Sequence, residues 1–253
     1  MHRMMLSIVV LWALGSLTGA AQQPLTRFEV ASIKPTRSIE TGAVISQNEG
    51  GRFVAQNITL FNLLQQAYGV YSFQIVGVPG WAERDRFDVQ ALAPPDTSRA
   101  QQAALLRQLL EDRFMVRTRR EMRERDVYAL VIARADGQLG PNLRPFTGDC
   151  TGTESRCRMR NGPNFTDAVG MPFRILFDQV TGNVNRFVVD KTGLTGRFDF
   201  KYQWTSDLPT ASALGDRVSF ITALQEQLGL RLMSDRAQVE MLVIESAERP
   251  TPD

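Results

Sequence analysis

The side chains that usually do chemistry are thinly supplied in this chain. Its only histidine, His2, stands in a leader expected to be removed. The rest of the chain therefore holds no Ser-His-Asp triad, no Cys-His pair and no histidine metal site. The two cysteines, Cys150 and Cys157, are expected to close a small loop as a disulfide in an exported protein, which removes thiolate catalysis too. Carboxylates, tyrosines and three lysines (Lys34, Lys191, Lys201) are left. Glu83, Asp85 and Asp88 gather near Trp81; a glycosidase needs two such carboxyls across the sugar, about 5–9.5 Å apart. There is no Gly-rich phosphate loop, and no cofactor or metal is expected.

Other patterns have a plainer reading. Asp190-Lys191-Thr192-Gly193 matches the start of the phosphorylated-aspartate loop of ion-pumping ATPases, but Leu194 stands where that motif has threonine. Lys191-Thr192-Gly193 is also the third box of penicillin-binding enzymes. Their Ser-x-x-Lys is missing: Ala31, Val188 and Phe198 stand where the serine would precede each lysine. The segment reads as a loop between strands, turned by Gly193 and Gly196. Arg-Phe-Asp occurs at 86–88 and 197–199, where period two places Arg and Asp on one strand face as a solvated ion pair. Between Arg113 and Asp126 lie six arginines and three acids, either an anion patch or an interleaved hairpin surface. Candidate partner contacts are Arg117 and Arg119 there, and Trp81 on the turn that follows Pro79-Gly80. Trp81 either anchors a partner or lies back on the core.

These residues have to be positioned by an exported fold. Arg3, the apolar run Leu6–Leu17 and small residues to Ala21 read as a secretory signal, residues 1–21. The apolar run is shorter than the ~20 residues of a spanning helix, so no membrane span is expected after cleavage. The formal charge of +2 falls by one with Arg3, leaving no overall pull toward nucleic acid or anionic lipid.

The segment Arg52–Val89 has an echo about 112 residues later. Phe53 falls on Phe165, Phe61 on Phe173, and Arg86-Phe87-Asp88 on Arg197-Phe198-Asp199. Thr59 caps a helix stopped by Gly69, Ser98 and Gln101 form a capping box, Pro172 opens a helix stopped by Gly182, and Asp216 caps the last one. Strands are expected at 28–34, 53–55, 73–76 and 86–92. Two hairpins follow, at 114–120 with 127–133 and at 230–233 with 239–244. The expected fold is α+β: a tandem duplication of a β-α-β-β-α-β-β unit, each a sheet with two helices on one face. Residues 22–136 form the first copy, 137–163 a disulfide-bearing linker, and 164–253 the second copy.

The blocks FEVASIKP, GGRFVAQNITL, AYGV, VPGW, DRFDV, VYALVIA, VVDKTGLTGRFDF and TALQEQLGL together resemble the soil-associated bacterial secreted family of unknown function. The resemblance implies a periplasmic or extracellular protein and brings no catalytic residues. Similar domains occur fused to membrane metallopeptidases of the antibiotic-sensing type. Each half is also similar in layout to the secretin/TonB short N-terminal domain, from which the inserted turn 78–85 departs. The expected function is an exported, non-catalytic binding or sensing module whose partner is an envelope protein or cell-wall ligand. The alternative is a carboxylate-dependent hydrolase of cell-wall or environmental polysaccharide; a third reading is anion binding through Arg113–Arg125.

Overall fold

The computed structural model describes residues 27–37, 42–47, 51–151, 156–205 and 219–251. The signal segment 1–21 and Asp216 lie outside them. The first half supplies β1 (Val30–Pro35), β2 (Val44–Gln47), β3 (Arg52–Thr59), α1 (Leu60–Tyr68), β4 (Ile75–Val76), β5 (Arg86–Leu92), α2 (Arg99–Phe114) and β6 (Arg117–Ile132). The second supplies β7 (Leu143–Pro145), β8 (Arg158–Gly162), β9 (Phe165–Pro172), α3 (Phe173–Val184), β10 (Val188–Asp190), β11 (Arg197–Gln203), α4 (Phe220–Leu228) and β12 (Leu230–Ser246). The class is α+β, as expected.

Local chemistry sets the helix ends. Thr59 accepts from the Asn62 N–H, and Gly69 turns left-handed after α1. Ser98 and Gln101 bond reciprocally at the start of α2. Two expectations are corrected. α3 runs through Gly182 and stops at Asn185, whose short polar side chain tolerates the left-handed backbone. α4 begins at Phe220 under a Ser219 cap.

The two expected hairpins are each one long strand, β6 and β12. No Gly, Pro or Asn interrupts either run, and the two pair antiparallel from Arg117↔Ser246 to Leu230↔Ile132. Each half therefore reads β-α-β-β-α-β after an opening pair of strands. β7 and β8 both arise within 137–163, the segment expected as a linker.

Two sheets have the same order, β1-β5-β3-β2 and β7-β11-β9-β8. Their registers correspond: Pro35↔Phe87 and Lys34↔Asp88 in one, Pro145↔Phe198 and Arg144↔Asp199 in the other. The third sheet, β10-β6-β12-β4, is made by both halves together. Short β4 runs parallel to β12 of the other half (Ile75↔Leu242), and β10 runs parallel to β6 (Val188↔Tyr128). The long strands carry this exchange into the cores. Leu242 and Ile244 of β12 are buried in the first core with Phe53, Leu63, Phe87 and Leu110. Leu130 of β6 is buried in the second with Phe173, Leu176, Phe198 and Leu224. Gly77, at φ +79°, lets the chain pass against the Ile244 carbonyl, where a Cβ would clash at 2.5 Å.

Candidate functional site

The Arg-Phe-Asp motifs do not form internal ion pairs; each clasps a β-bulge. Asp88 Oδ1 accepts from the Asn57 N–H at 2.9 Å, while Arg86 Nη1 donates to the Asn57 carbonyl at 2.8 Å. Asp199 Oδ1 accepts from the Gly170 N–H at 2.8 Å, and Arg197 Nη1 donates to the Gly170 carbonyl at 2.6 Å. Asn57 and Gly170 both have positive φ, 54° and 65°, and each sits where its strand slips register against β5 or β11. The phenylalanine between Arg and Asp points inward: Phe87 and Phe198 are both buried. The motif is a fastening for a kinked strand.

Two of the three carboxylates near Trp81, Asp85 and Asp88, are likewise occupied. Asp85 holds Arg249 at 2.7 Å, and Asp88 also accepts from the Thr36 hydroxyl at 3.0 Å. Arg249 lies over the Trp81 ring, 5.2 Å from its centre, while Trp81 packs half-buried against the first core. Pro79 and Gly80 open the 3-10 turn Gly80–Glu83 that carries it. Arg119 pairs with Glu245 at 3.2 Å and with Glu121, and exposed Arg117 stands opposite Ser246. Three of the five suspected contacts, Trp81, Arg117 and Arg119, thus face the chain's own segment 245–249, where the Glu248 N–H bonds the Phe114 carbonyl at 2.7 Å.

The arginine-rich stretch is interleaved as a surface. Arg123 and Arg119 hold the Glu121 carboxyl down to about 2, chiefly through their hydrogen bonds to it. Arg120 pairs with Glu240, and Arg236 with Glu124. The Asp190-Lys191-Thr192-Gly193 loop is a self-bonded turn: Asp190 Oδ1 accepts from the Thr192 N–H and hydroxyl, and Lys191 pairs with Asp235 at 2.6 Å. Cys150 and Cys157 are joined, with their Cα atoms 5.3 Å apart. The disulfide rests on the Gly170 bulge, where any Cβ would overlap Cys157 Sγ.

A family model matches residues 61–247, from the first turn of α1 to the end of β12. The chain belongs to the family described as Protein of unknown function (DUF3738). No curated protein and no solved structure matches it. Among the described residues of this DUF3738 chain, no helix is long and apolar enough to cross a membrane.

Sequence reasoning missed a cleft of about 650 Å³ between the end of α1 and the start of α2. Its floor is apolar, with Ala67, Ala103 and Leu106, and Tyr68, Arg99, Gln102 and Arg107 stand around it. The Thr118 hydroxyl donates to Tyr68 OH at 3.2 Å, and the Tyr68 ring supports Arg107, whose guanidinium carbon lies 5.8 Å from its centre. The signal in the sequence was the polar choice at Gln102, on a helical face otherwise leucine-rich.

Proposed function

We propose that this DUF3738 protein is an exported, non-catalytic binding module of the cell envelope, built from two copies of one β-α-β-β-α-β unit. The α1–α2 cleft carries the reading: it is concave, apolar at its floor and polar at its rim, in the size range of small-ligand sites. The leader at 1–21 and the disulfide support export. The shared strand order, the paired registers and the two bulge clasps support duplication. The layout of each half, similar to a periplasmic secretin/TonB short N-terminal domain, fits an envelope role, as does the resemblance to soil-associated secreted proteins.

The test is to incubate the chain without its leader in a soluble digest of cell wall, then separate it by gel filtration. Components that co-elute are identified by mass spectrometry, and turnover is followed in parallel. The expected result is an unmodified component that co-elutes and raises the thermal midpoint. Turnover that disappears in Asp85→Asn would overturn the binding reading in favour of a carboxylate-dependent hydrolase.

A further inference from the structure

We infer that the α1–α2 cleft takes a small amphipathic anion, with its charged end between Arg99 and Arg107 and its apolar body on Ala67, Ala103 and Leu106. The inference rests on the binding reading and names the ligand class of that site. Three observations carry it. First, Gln102 is only 8% exposed, and among the described residues no bond is shown to its side-chain amide, whose polar atoms keep their access to solvent. Its polar atoms open into the cleft it lines, a donor and an acceptor held ready for a ligand's amide or hydroxyl.

Second, the charge around the cleft is of one sign. Arg99 and Arg107 line it, no carboxylate does, and among the described residues neither arginine is ion-paired. This contrasts with the β6–β12 surface, where Arg119, Arg120, Arg123 and Arg236 all have acidic partners. Arg107 is also held in place by the Tyr68 ring, which lowers the ordering needed when an anion binds.

Third, among the described residues the equivalent place in the second half lacks these groups. The helices align on their ends: Phe114 with Leu228, and left-handed Met115 with Gly229. Counted back from there, Ile221 stands for Arg107, and α4 starts at Phe220, so the turns bearing Arg99 and Gln102 have no counterpart among the described residues. Tyr68, the last residue of α1, is matched by Thr181 when Thr59 and Pro172 are aligned as caps. The core positions correspond while the cleft positions differ, as expected where only one half carries the site.

The test uses three probes on the full chain without its leader, followed by titration calorimetry and by the Gln102 side-chain amide resonances. N-acetylphenylalanine offers a carboxylate, an acyl amide and an apolar ring; phenyl phosphate offers a phosphate and a ring; N-acetylphenylalaninamide is the neutral control. Both anions are expected to bind and shift the Gln102 amide, with the neutral probe weaker by about tenfold or more. Arg99→Gln with Arg107→Gln should reduce anion affinity by about tenfold. Gln102→Met, unbranched and of similar length, should weaken N-acetylphenylalanine and leave phenyl phosphate unchanged. The ratio between the two anions separates a carboxylate ligand from a phosphate one.

Equal binding of neutral and charged probes, or anion binding indifferent to the arginine pair, would overturn the inference. So would the lack of any anion binding at concentrations on the order of 10 mM. A neutral component recovered from the cell-wall digest and bound at this cleft would sink the anion reading and leave the binding module standing. Turnover of the digest would instead sink the binding module.

Discussion

Cutting the chain between its halves should unfold both. The fragment 22–136 contains every residue of β1–β6, yet its core is completed by Leu242 and Ile244 of β12, 3% and 4% exposed. Loss of one buried Leu or Ile side chain costs about 2–5 kcal/mol, so the pair is worth about 4–10 kcal/mol. A whole domain has a net stability of about 5–15 kcal/mol, so this loss alone is of the same size. The fragment also loses the one strand paired with β4 among the described residues and the antiparallel partner of β6 along its full length. We expect 22–136 alone to give a collapsed amide spectrum and no cooperative thermal transition. Mixing it with 137–253 should restore both. In the intact chain, Ile244→Ala should cost about 2–5 kcal/mol in urea unfolding. A dispersed spectrum and a sharp transition from 22–136 alone would refute the argument and show that the exchanged strands are dispensable.

Other expectations are more local. Phe87→Ala and Phe198→Ala should each cost about 3–5 kcal/mol, since both rings are buried, whereas half-buried Phe61→Ala should cost clearly less. Replacing both cysteines by serine should lower stability by about 2–2.5 kcal/mol for so short a loop, measured as a urea midpoint, and intact-mass analysis should find no free thiol before reduction. Gly170→Ala should destabilise by more than the about 1–2 kcal/mol of its left-handed backbone, because its Cβ meets the disulfide; an unchanged thermal midpoint would refute the bulge clasp. The acid limb follows from the lowered carboxyls of Glu121, Asp136, Asp149, Asp167 and Asp235. Their folded values lie below their unfolded ones, so their contribution is complete above the ordinary carboxyl range and is lost as pH falls through it, toward about 2 for Glu121 and Asp136. High salt should flatten that decline, because the pairs are at the surface.

Patterns that are local in the chain were legible from it. Helical spacing and caps located α1, α2 and the start of α3, and the paired cysteines announced their bond. The long strands were not legible as single elements, because Glu121–Asp126 is charged on both strand faces and looks like a turn. Only the partner strand explains it: residues on both faces are exposed or half-exposed on an extended ladder, where Arg236 of the partner strand pairs with Glu124 and Asp126 and Glu121 pairs along its own strand. The exchange of β4 and β10 was also invisible, since strands of two and three residues carry no period. The cleft escaped notice because its groups come from two helices, and nothing in the spacing brings Tyr68 to Arg107.

The one-residue slip in the matched halves has a physical cause. Matching by residue type put Phe53 on Phe165 and Phe61 on Phe173. The registers instead put Phe53, opposite Ala91, on Thr166, opposite Tyr202. Phe165 is 38% exposed, whereas Phe53 and Thr166 are both buried. A large residue faces a small one in each half, with the sizes exchanged between strands: Phe53 with Ala91, Thr166 with Tyr202. Such an exchange conserves core volume and is tolerated, while it destroys the identity at both positions. The helices follow the same rule, since each cap fixes its first residue: Leu60 after Thr59 corresponds to Phe173 after Pro172, and both are buried. Arg86-Phe87-Asp88 and Arg197-Phe198-Asp199 align without a slip because a bulge clasp needs all three residues, two to grip the backbone and one to fill the core beneath. Identity is kept where geometry fixes a residue's bonds and drifts where only volume is fixed, so halves like these are better aligned on bulges and caps than on their phenylalanines.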